Sequence, residues 1–213
     1  MAPTSTNRLT RRALARLGVA LAAPLALVAA AGRLFSLTAE ARQPSTGIVL
    51  QPTPACADDD DPTPAQTEGP YFKSNTPERT SLLEPGLPGT RLVVTGQVLT
   101  RRCEPVPQAK LEFWQADANG QYDNVGFRLR GHQFTDAEGR YQLETVVPGL
   151  YPGRTRHIHV KVQAPNGPVL TTQLYFPDEP RNRTDGIFNP RLLLPVEAAD
   201  DGQQAAFDFV LGG

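Results

Sequence analysis

With 213 residues, 39% hydrophobic and 20% charged, the chain can bury one core, so a single globular domain is the expectation. Eighteen glycines and 21 prolines against one tryptophan and one methionine favour a turn-rich β domain over a helical bundle. The net charge of −1 conceals an asymmetry, because residues 1–41 hold five arginines and one acid, which leaves 16 basic and 21 acidic groups, or −5, in the rest. That sign offers no electrostatic footprint for nucleic acid or an anionic membrane face.

Residues 1–41 read as an export signal. Thr10-Arg11-Arg12-Ala13-Leu14 precedes Leu17 to Gly32, an uncharged run of 16 residues rich in Ala and Leu and broken by Pro24. A basic n-region followed by such an h-region is a signal pattern, and a spanning helix wants about 20 apolar residues. Cleavage is therefore expected, with no stable membrane anchor afterwards, and small-x-small patterns stand at Ala29-Ala30-Ala31 and Ala39-Glu40-Ala41. The paired arginines are similar to a twin-arginine signal, with an ordinary Sec signal that happens to contain Arg-Arg as the other reading, and either gives a periplasmic or secreted destination. In an oxidising compartment the two cysteines, Cys56 and Cys103, read as a disulfide, with two buried free thiols as the other reading.

Residues 42–65 carry Pro44, Pro52, Pro54, Pro62 and Pro64 and the run Asp58 to Asp61, the composition of a linker. Over residues 66–213, β-prone runs alternate with turn signals at Asn119-Gly120, Glu138-Gly139, Asn166-Gly167 and Asp201-Gly202. Strands are predicted near Leu92–Leu99, Lys110–Gln115, Tyr141–Val147, His157–Gln163, Leu170–Phe176 and Ala205–Leu211. No segment keeps a helical period over three turns, so the fold class is all-β, a single β-sandwich.

No serine follows Ser81 and there is no phosphate-cradling Gly-rich loop, which excludes serine-triad and P-loop enzymes. His157-Ile158-His159 stands out. In a strand the two imidazoles share one side while Ile158, Val160 and Val162 take the other, so two nitrogens can converge on a metal ion; an exposed polar face is the alternative. Tyr151 lies six residues upstream in a Pro-Gly turn, and Tyr122 follows Asn119-Gly120. Each tyrosine alone reads as a core or rim aromatic. Two phenolates with two neutral imidazoles would suit oxidised iron better than zinc, copper or Fe(II), and the cation would lower the phenol pKa from its free value of about 10.

Gln66-Thr67-Glu68-Gly69-Pro70-Tyr71-Phe72, Pro105-Val106-Pro107, Phe113-Trp114-Gln115-Ala116-Asp117, Gly120-Gln121-Tyr122 and the run Pro148 to His159 resemble the intradiol ring-cleavage dioxygenases. The likeness runs from about Gln66 to Phe188 and is strongest to the short, exported, single-domain branch related to protocatechuate 3,4-dioxygenase subunits. The resemblance implies one non-haem Fe(III) per chain, held by Tyr122, Tyr151, His157 and His159, and a catechol cleaved with O2 between its hydroxyls to a cis,cis-muconic acid. It also implies that the Tyr151 phenolate leaves the metal to act as a base, that Arg154 stabilises charge developing on the ring, and that Gln173 lines the pocket. Gly69, Pro70 and Tyr71 are its expected substrate-binding residues, while His132 matches no ligand and reads as a surface or rim histidine.

Departures from the family bear on the substrate. The interval between Tyr151 and His157 is shorter than in the multi-subunit enzymes, a bulky aromatic near Gly153 is absent, and Arg156 adds a second cation, so a more open, cationic mouth for carboxylated or larger catechols is expected. Signal and linker occupy the stretch where catechol dioxygenases carry a helical dimerisation domain, and homo-oligomerisation is left open. An exported β-sandwich binding module with a non-catalytic or zinc-occupied site is the alternative reading.

Overall fold

The structure is a computed structural model that describes residues 61–212. The expected export signal, most of the linker and Cys56 lie outside the described residues. Nine strands follow in chain order: β1 Arg91–Thr100, β2 Lys110–Trp114, β3 Arg130–Phe134, β4 Arg140–Val146, β5 His157–Gln163, β6 Val169–Tyr175, β7 Val196–Ala199, β8 Gly202–Ala206 and β9 Phe209–Leu211. Among the described residues the only helical pieces are short 3-10 turns at Pro180–Arg183 and Pro190–Leu192. One sheet has the order β4-β1-β8-β7 with β9 also on β1, and the other runs β3-β2-β5-β6. The expected all-β sandwich is what forms.

Period-two alternation decides which side chains meet between the sheets. Leu111 and Phe113 of β2 stand opposite Val162 and Val160 of β5, and these join Ile158, Leu92, Val94 and Leu143 in one buried core. Each fully buried aliphatic side chain here is worth about 1.5–3 kcal/mol of hydrophobic stabilisation. The opposite face of the β3-β2-β5-β6 sheet carries a transverse row, Arg130, Trp114, His159 and Gln173, because Trp114 pairs with both Arg130 and His159, and His159 pairs with Gln173. His157 and Tyr175 stand opposite each other beside that row.

Two strands were invisible to sequence patterning, and one predicted strand is divided. β3, Arg-Gly-His-Gln-Phe, has no apolar alternation, and β7 is four residues long. The predicted run 205–211 splits at Phe207-Asp208, where the Asp208 carboxylate takes the Gln97 amide at 2.8 Å and the Tyr141 hydroxyl donates to the Phe207 carbonyl at 2.7 Å. Both segments pair parallel to β1, with Thr95 opposite Ala206 and Val98 opposite Phe209. Gly96 makes this approach sterically feasible, since a Cβ there would lie 1.9 Å from the Phe207 carbonyl oxygen. Gly96→Ala is expected to destabilise the fold by at least about 1–3 kcal/mol, the scale of overpacking, read as a lower denaturant midpoint. An unchanged midpoint would mean the two chains part without cost.

The last residues of the proline-rich segment belong to the sandwich edge. The Thr63 amide donates to Val210 at 2.9 Å, Val210 returns a bond to the Thr63 hydroxyl at 2.8 Å, and the Thr172 hydroxyl donates to Pro64 at 2.7 Å. Cys103, in the turn after β1, is not a free thiol.

Candidate metal centre

The outer face of β5 would be a polar surface if nothing covered it, yet His157 and His159 are 4% and 2% exposed. The lid consists of residues 66–72 and the turns around Tyr122, Tyr151 and Asp185. The first of these is tied to β6, with the Gln66 amide donating to Thr171 at 2.8 Å and the Gln173 amide to the Thr67 carbonyl at 2.9 Å. Two turns meet closely because both are glycine at the contact. The Gly149 amide donates to Asp117 at 2.7 Å, and a Cβ on Gly120 (φ +80°) would lie 2.3 Å from the Leu150 carbonyl oxygen. That approach sets the rings of Tyr122 and Tyr151 5.8 Å apart, edge to face.

Three donors converge. The Nε2 atoms of His157 and His159 are 3.1 Å apart, and the Tyr122 hydroxyl is 3.2 Å from His157 Nε2. His157 Nδ1 lies 2.6 Å from the Thr155 carbonyl, which can only accept, so the proton sits on Nδ1 and Nε2 presents a lone pair to the centre. Trp114 lies flat against His159 at 4.8 Å and 7°, while His159 Nδ1 is buried without a hydrogen-bond partner. Burial pushes His157 down to about 4 and His159 well below the usual histidine range, so both rings are neutral at physiological pH and able to serve as ligands.

Burial also pushes the Tyr122 hydroxyl well above the ordinary tyrosine range, against the opposing charges of Arg154 and Arg130. Tyr122 is therefore a neutral phenol at physiological pH, and only a bound cation would displace its proton. A phenol, two neutral imidazole lone pairs and a desolvated setting fit a small, highly charged ion. Among the described residues no three His, Cys, Asp or Glu side chains are grouped to hold a metal, so an ion at this point must take phenolic oxygen.

The fourth expected ligand stands beside the cluster. The Tyr151 hydroxyl pairs with the Tyr71 hydroxyl at 2.6 Å, and Tyr71 stacks on Tyr122 with centroids 4.4 Å apart. The bond to Tyr151, and then burial, raise the Tyr71 pKa. Of the expected substrate-binding residues, Tyr71 thus joins the site directly, Gly69 packs against His159, where a Cβ would come 3.3 Å from Cε1, and Pro70 is exposed.

Arg154 is fixed on three sides. Its Nε donates to Asp185 at 2.8 Å and its terminal nitrogen to Gln173 Oε1 at 2.7 Å, with the Tyr175 hydroxyl at 3.5 Å. The Tyr175 hydroxyl also lies 3.1 Å from both Gln66 Oε1 and the Ile187 carbonyl, to either of which it can donate its one proton, and burial pushes that hydroxyl up to about 12. Arg156, expected as a second cation beside the ligands, pairs with Glu179 at 3.3 Å and donates to the Pro148 carbonyl. Its charge is neutralised within the fold and offers no open cationic mouth. His132 stands on β3 outside the cluster, bonded to the Thr76 carbonyl at 2.9 Å.

Sequence reasoning missed Arg130 and Asp185. Arg130 is fully buried, and its guanidinium binds the Tyr71 carbonyl at 2.6 Å and the Asp123 carbonyl at 3.0 and 3.1 Å, tying together the segments that carry the two stacked phenols. No apolar pattern marks either residue, and both act on partners remote in sequence.

The dioxygenase family domain (Dioxygenase_C) matches residues 67–213. A solved dioxygenase domain of a dioxygenase–carbohydrate-binding fusion protein from Streptomyces sp. SirexAA-E is 61% identical, with a TM-score of 0.70 over 71% of this chain and 98% of that one. The 3-chlorocatechol 1,2-dioxygenase of Rhodococcus opacus superimposes with a TM-score of 0.67 at 26% identity, over 74% of this chain and 75% of its own. The protocatechuate 3,4-dioxygenase beta chain of Burkholderia cepacia is 39% identical over 148 residues, 57% of this chain, and the chain spans 63% of that relative's length. With the tyrosine and His-x-His elements gathered on one face of the sandwich, these matches place the chain in the intradiol ring-cleavage dioxygenase family.

Proposed function

We propose that this protein is a non-haem Fe(III) dioxygenase that cleaves catechol-type aromatics between the two hydroxyl-bearing carbons, giving cis,cis-muconic acid-type products that contain both atoms of O2. The observation that carries the reading is the convergence of the Tyr122 hydroxyl and the two buried Nε2 atoms, with a second phenol pair and a fixed guanidinium beside it. Tyr122, His157 and His159 would hold the iron, with Tyr151 as the fourth ligand. Hard phenolate oxygen with imidazole nitrogen favours the ferric ion. Bound there, it would supply Lewis acidity that lets a chelated catechol give up its hydroxyl protons, and the resulting catecholate is more electron-rich toward O2 than the neutral diol.

The chain's own residues do the remaining work. Thr155 fixes the His157 tautomer, and the Trp114 ring covers His159 from solvent. The Tyr151 and Tyr71 oxygens are 2.6 Å apart, so as a phenolate in the loaded site Tyr151 could take the proton of a catechol hydroxyl while the Tyr71 hydroxyl, still protonated, stays hydrogen-bonded to it. Gln173 and Asp185 hold Arg154 without reorganisation when negative charge grows on the ring. Metal analysis of purified protein, with an aerobic catechol panel read by product spectra, tests the reading. Iron, a red-brown colour and muconate-type products are expected, whereas colourless protein with zinc would support the binding-module alternative.

The same proposal extends to location and crosslinking. Export through a twin-arginine signal predicts that Arg11→Lys with Arg12→Lys stops translocation of a folded fusion partner, and normal export of the double variant would reassign the signal. A Cys56–Cys103 bridge predicts no reactive thiol in native exported protein and a loss of roughly 2–5 kcal/mol when either cysteine is replaced. Labelling of two free thiols would refute the bridge.

A further inference from the structure

Residues 179–185 lie against the run Tyr151–Arg156 through a series of polar contacts. Arg181 donates to the Tyr151 carbonyl at 3.1 Å and the Arg154 carbonyl at 3.2 Å, the Thr155 hydroxyl donates to Asn182 at 2.6 Å, and Glu179 takes Arg156 at 3.3 Å. At the end of the series stands Asp185, whose carboxylate side chain is 3% exposed. One of its oxygens accepts both Arg154 Nε at 2.8 Å and the Thr155 amide at 2.9 Å, and the other accepts the Ile187 amide at 3.2 Å. Main chain and side chain of the arginine-bearing turn are thus anchored on a single carboxylate.

We propose that Asp185 is the positioning residue for Arg154, holding its guanidinium against Gln173 on the row that carries His159, so that the cation keeps one place relative to the donor cluster. The inference rests on the functional reading above only for its kinetic consequence. Gln173 alone cannot fix the guanidinium, since one bond at 2.7 Å leaves rotation about it, whereas Asp185 adds a second bond at Nε and so defines the plane. Burial by itself would raise the Asp185 carboxyl pKa, but the Thr155 amide and Arg154 outweigh that and hold it below the usual range, so the pair is ionised at working pH. Arg154, in turn, acts on Tyr122, His157 and His159 by its charge.

Asp185→Asn separates positioning from a merely structural role, because an amide oxygen in place of the one shared by Thr155 and Arg154 can still accept from Thr155, while the charge that holds Arg154 Nε is gone and the amide nitrogen faces the Ile187 N–H. The variant is expected to keep iron and colour, to lose turnover on the order of 100-fold with KM changed less than about threefold, and to show no further loss when combined with Arg154→Ala. In protein labelled with 15N-arginine, the slowly exchanging Nε–H resonance that Arg154→Ala removes should become fast-exchanging in Asp185→Asn. Asp185→Glu should restore part of the protection. Unchanged protection in the Asn variant, or losses that multiply in the double variant, would overturn the assignment. If the parent protein turns over no catechol, the functional reading fails by itself, and the Nε–H exchange alone then decides whether Asp185 positions Arg154.

Discussion

Tyr122→Phe protein is expected to fold normally and to lose most of its iron, its colour and its turnover, the last on the order of 100-fold or more. The phenylalanine ring keeps the stack on Tyr71, now 4.4 Å between centroids, and only one oxygen is removed. What disappears is one of the two anionic donors, and the one that already converges with the imidazoles. Two neutral imidazoles and the Tyr151 phenolate remain, and a single anionic ligand poorly compensates a trivalent ion in a desolvated site. His159→Ala should have the same effect on metal content but also removes the ring beneath Trp114, so its unfolding midpoint should fall as well. Metal analysis and the visible spectrum of both variants check the expectation. Tyr122→Phe protein that retains stoichiometric iron would remove Tyr122 from the ligand set, and zinc without iron in active parent protein would overturn the ferric reading.

How much of this was legible in the residues depends on the range over which each feature acts. The His157/His159 pairing on one side of a strand follows from period two and is what the structure shows, and the four Gly turn signals fall at turns between strands or beside the site. Burial of the two imidazoles was not legible, since the strand's own pattern reads as polar on that side. The cover comes from residues 66–72, some 90 positions upstream, and from turns whose meeting depends on Gly120 and Gly149. The row Arg130, Trp114, His159, Gln173 could be drawn from parity only once the order β3-β2-β5-β6 and its register are known, and β3 itself carries a buried arginine and a glycine where a strand would show alternating apolar groups. The pairing of Arg156 was not legible for a similar reason. Its partner Glu179 lies 23 residues on and meets it only in the fold.

Arg154→Ala should keep iron and colour yet lose turnover on the order of 100-fold, the usual scale for one preorganised electrostatic stabiliser. The guanidinium is not among the three converging donors, so metal binding does not need it. By its charge alone it disfavours any further positive charge near His157 and His159, so its removal should if anything ease loading of a cation. Its contribution comes later, when negative charge builds up on the ring carbon that meets O2, and so it appears in kcat more than in KM. Arg156→Ala is the comparison that makes this specific. Arg156 is one residue from His157 and equally cationic, yet its bonds run to Glu179 and the Pro148 carbonyl, so its loss should lower the unfolding midpoint while turnover stays within a few-fold. Net charge changes equally in the two variants, which removes long-range electrostatics as the explanation of any difference. If Arg156→Ala instead abolishes turnover and Arg154→Ala is silent, the cation that meets the ring charge is the one paired to Glu179, and the roles assigned to the two arginines must be exchanged.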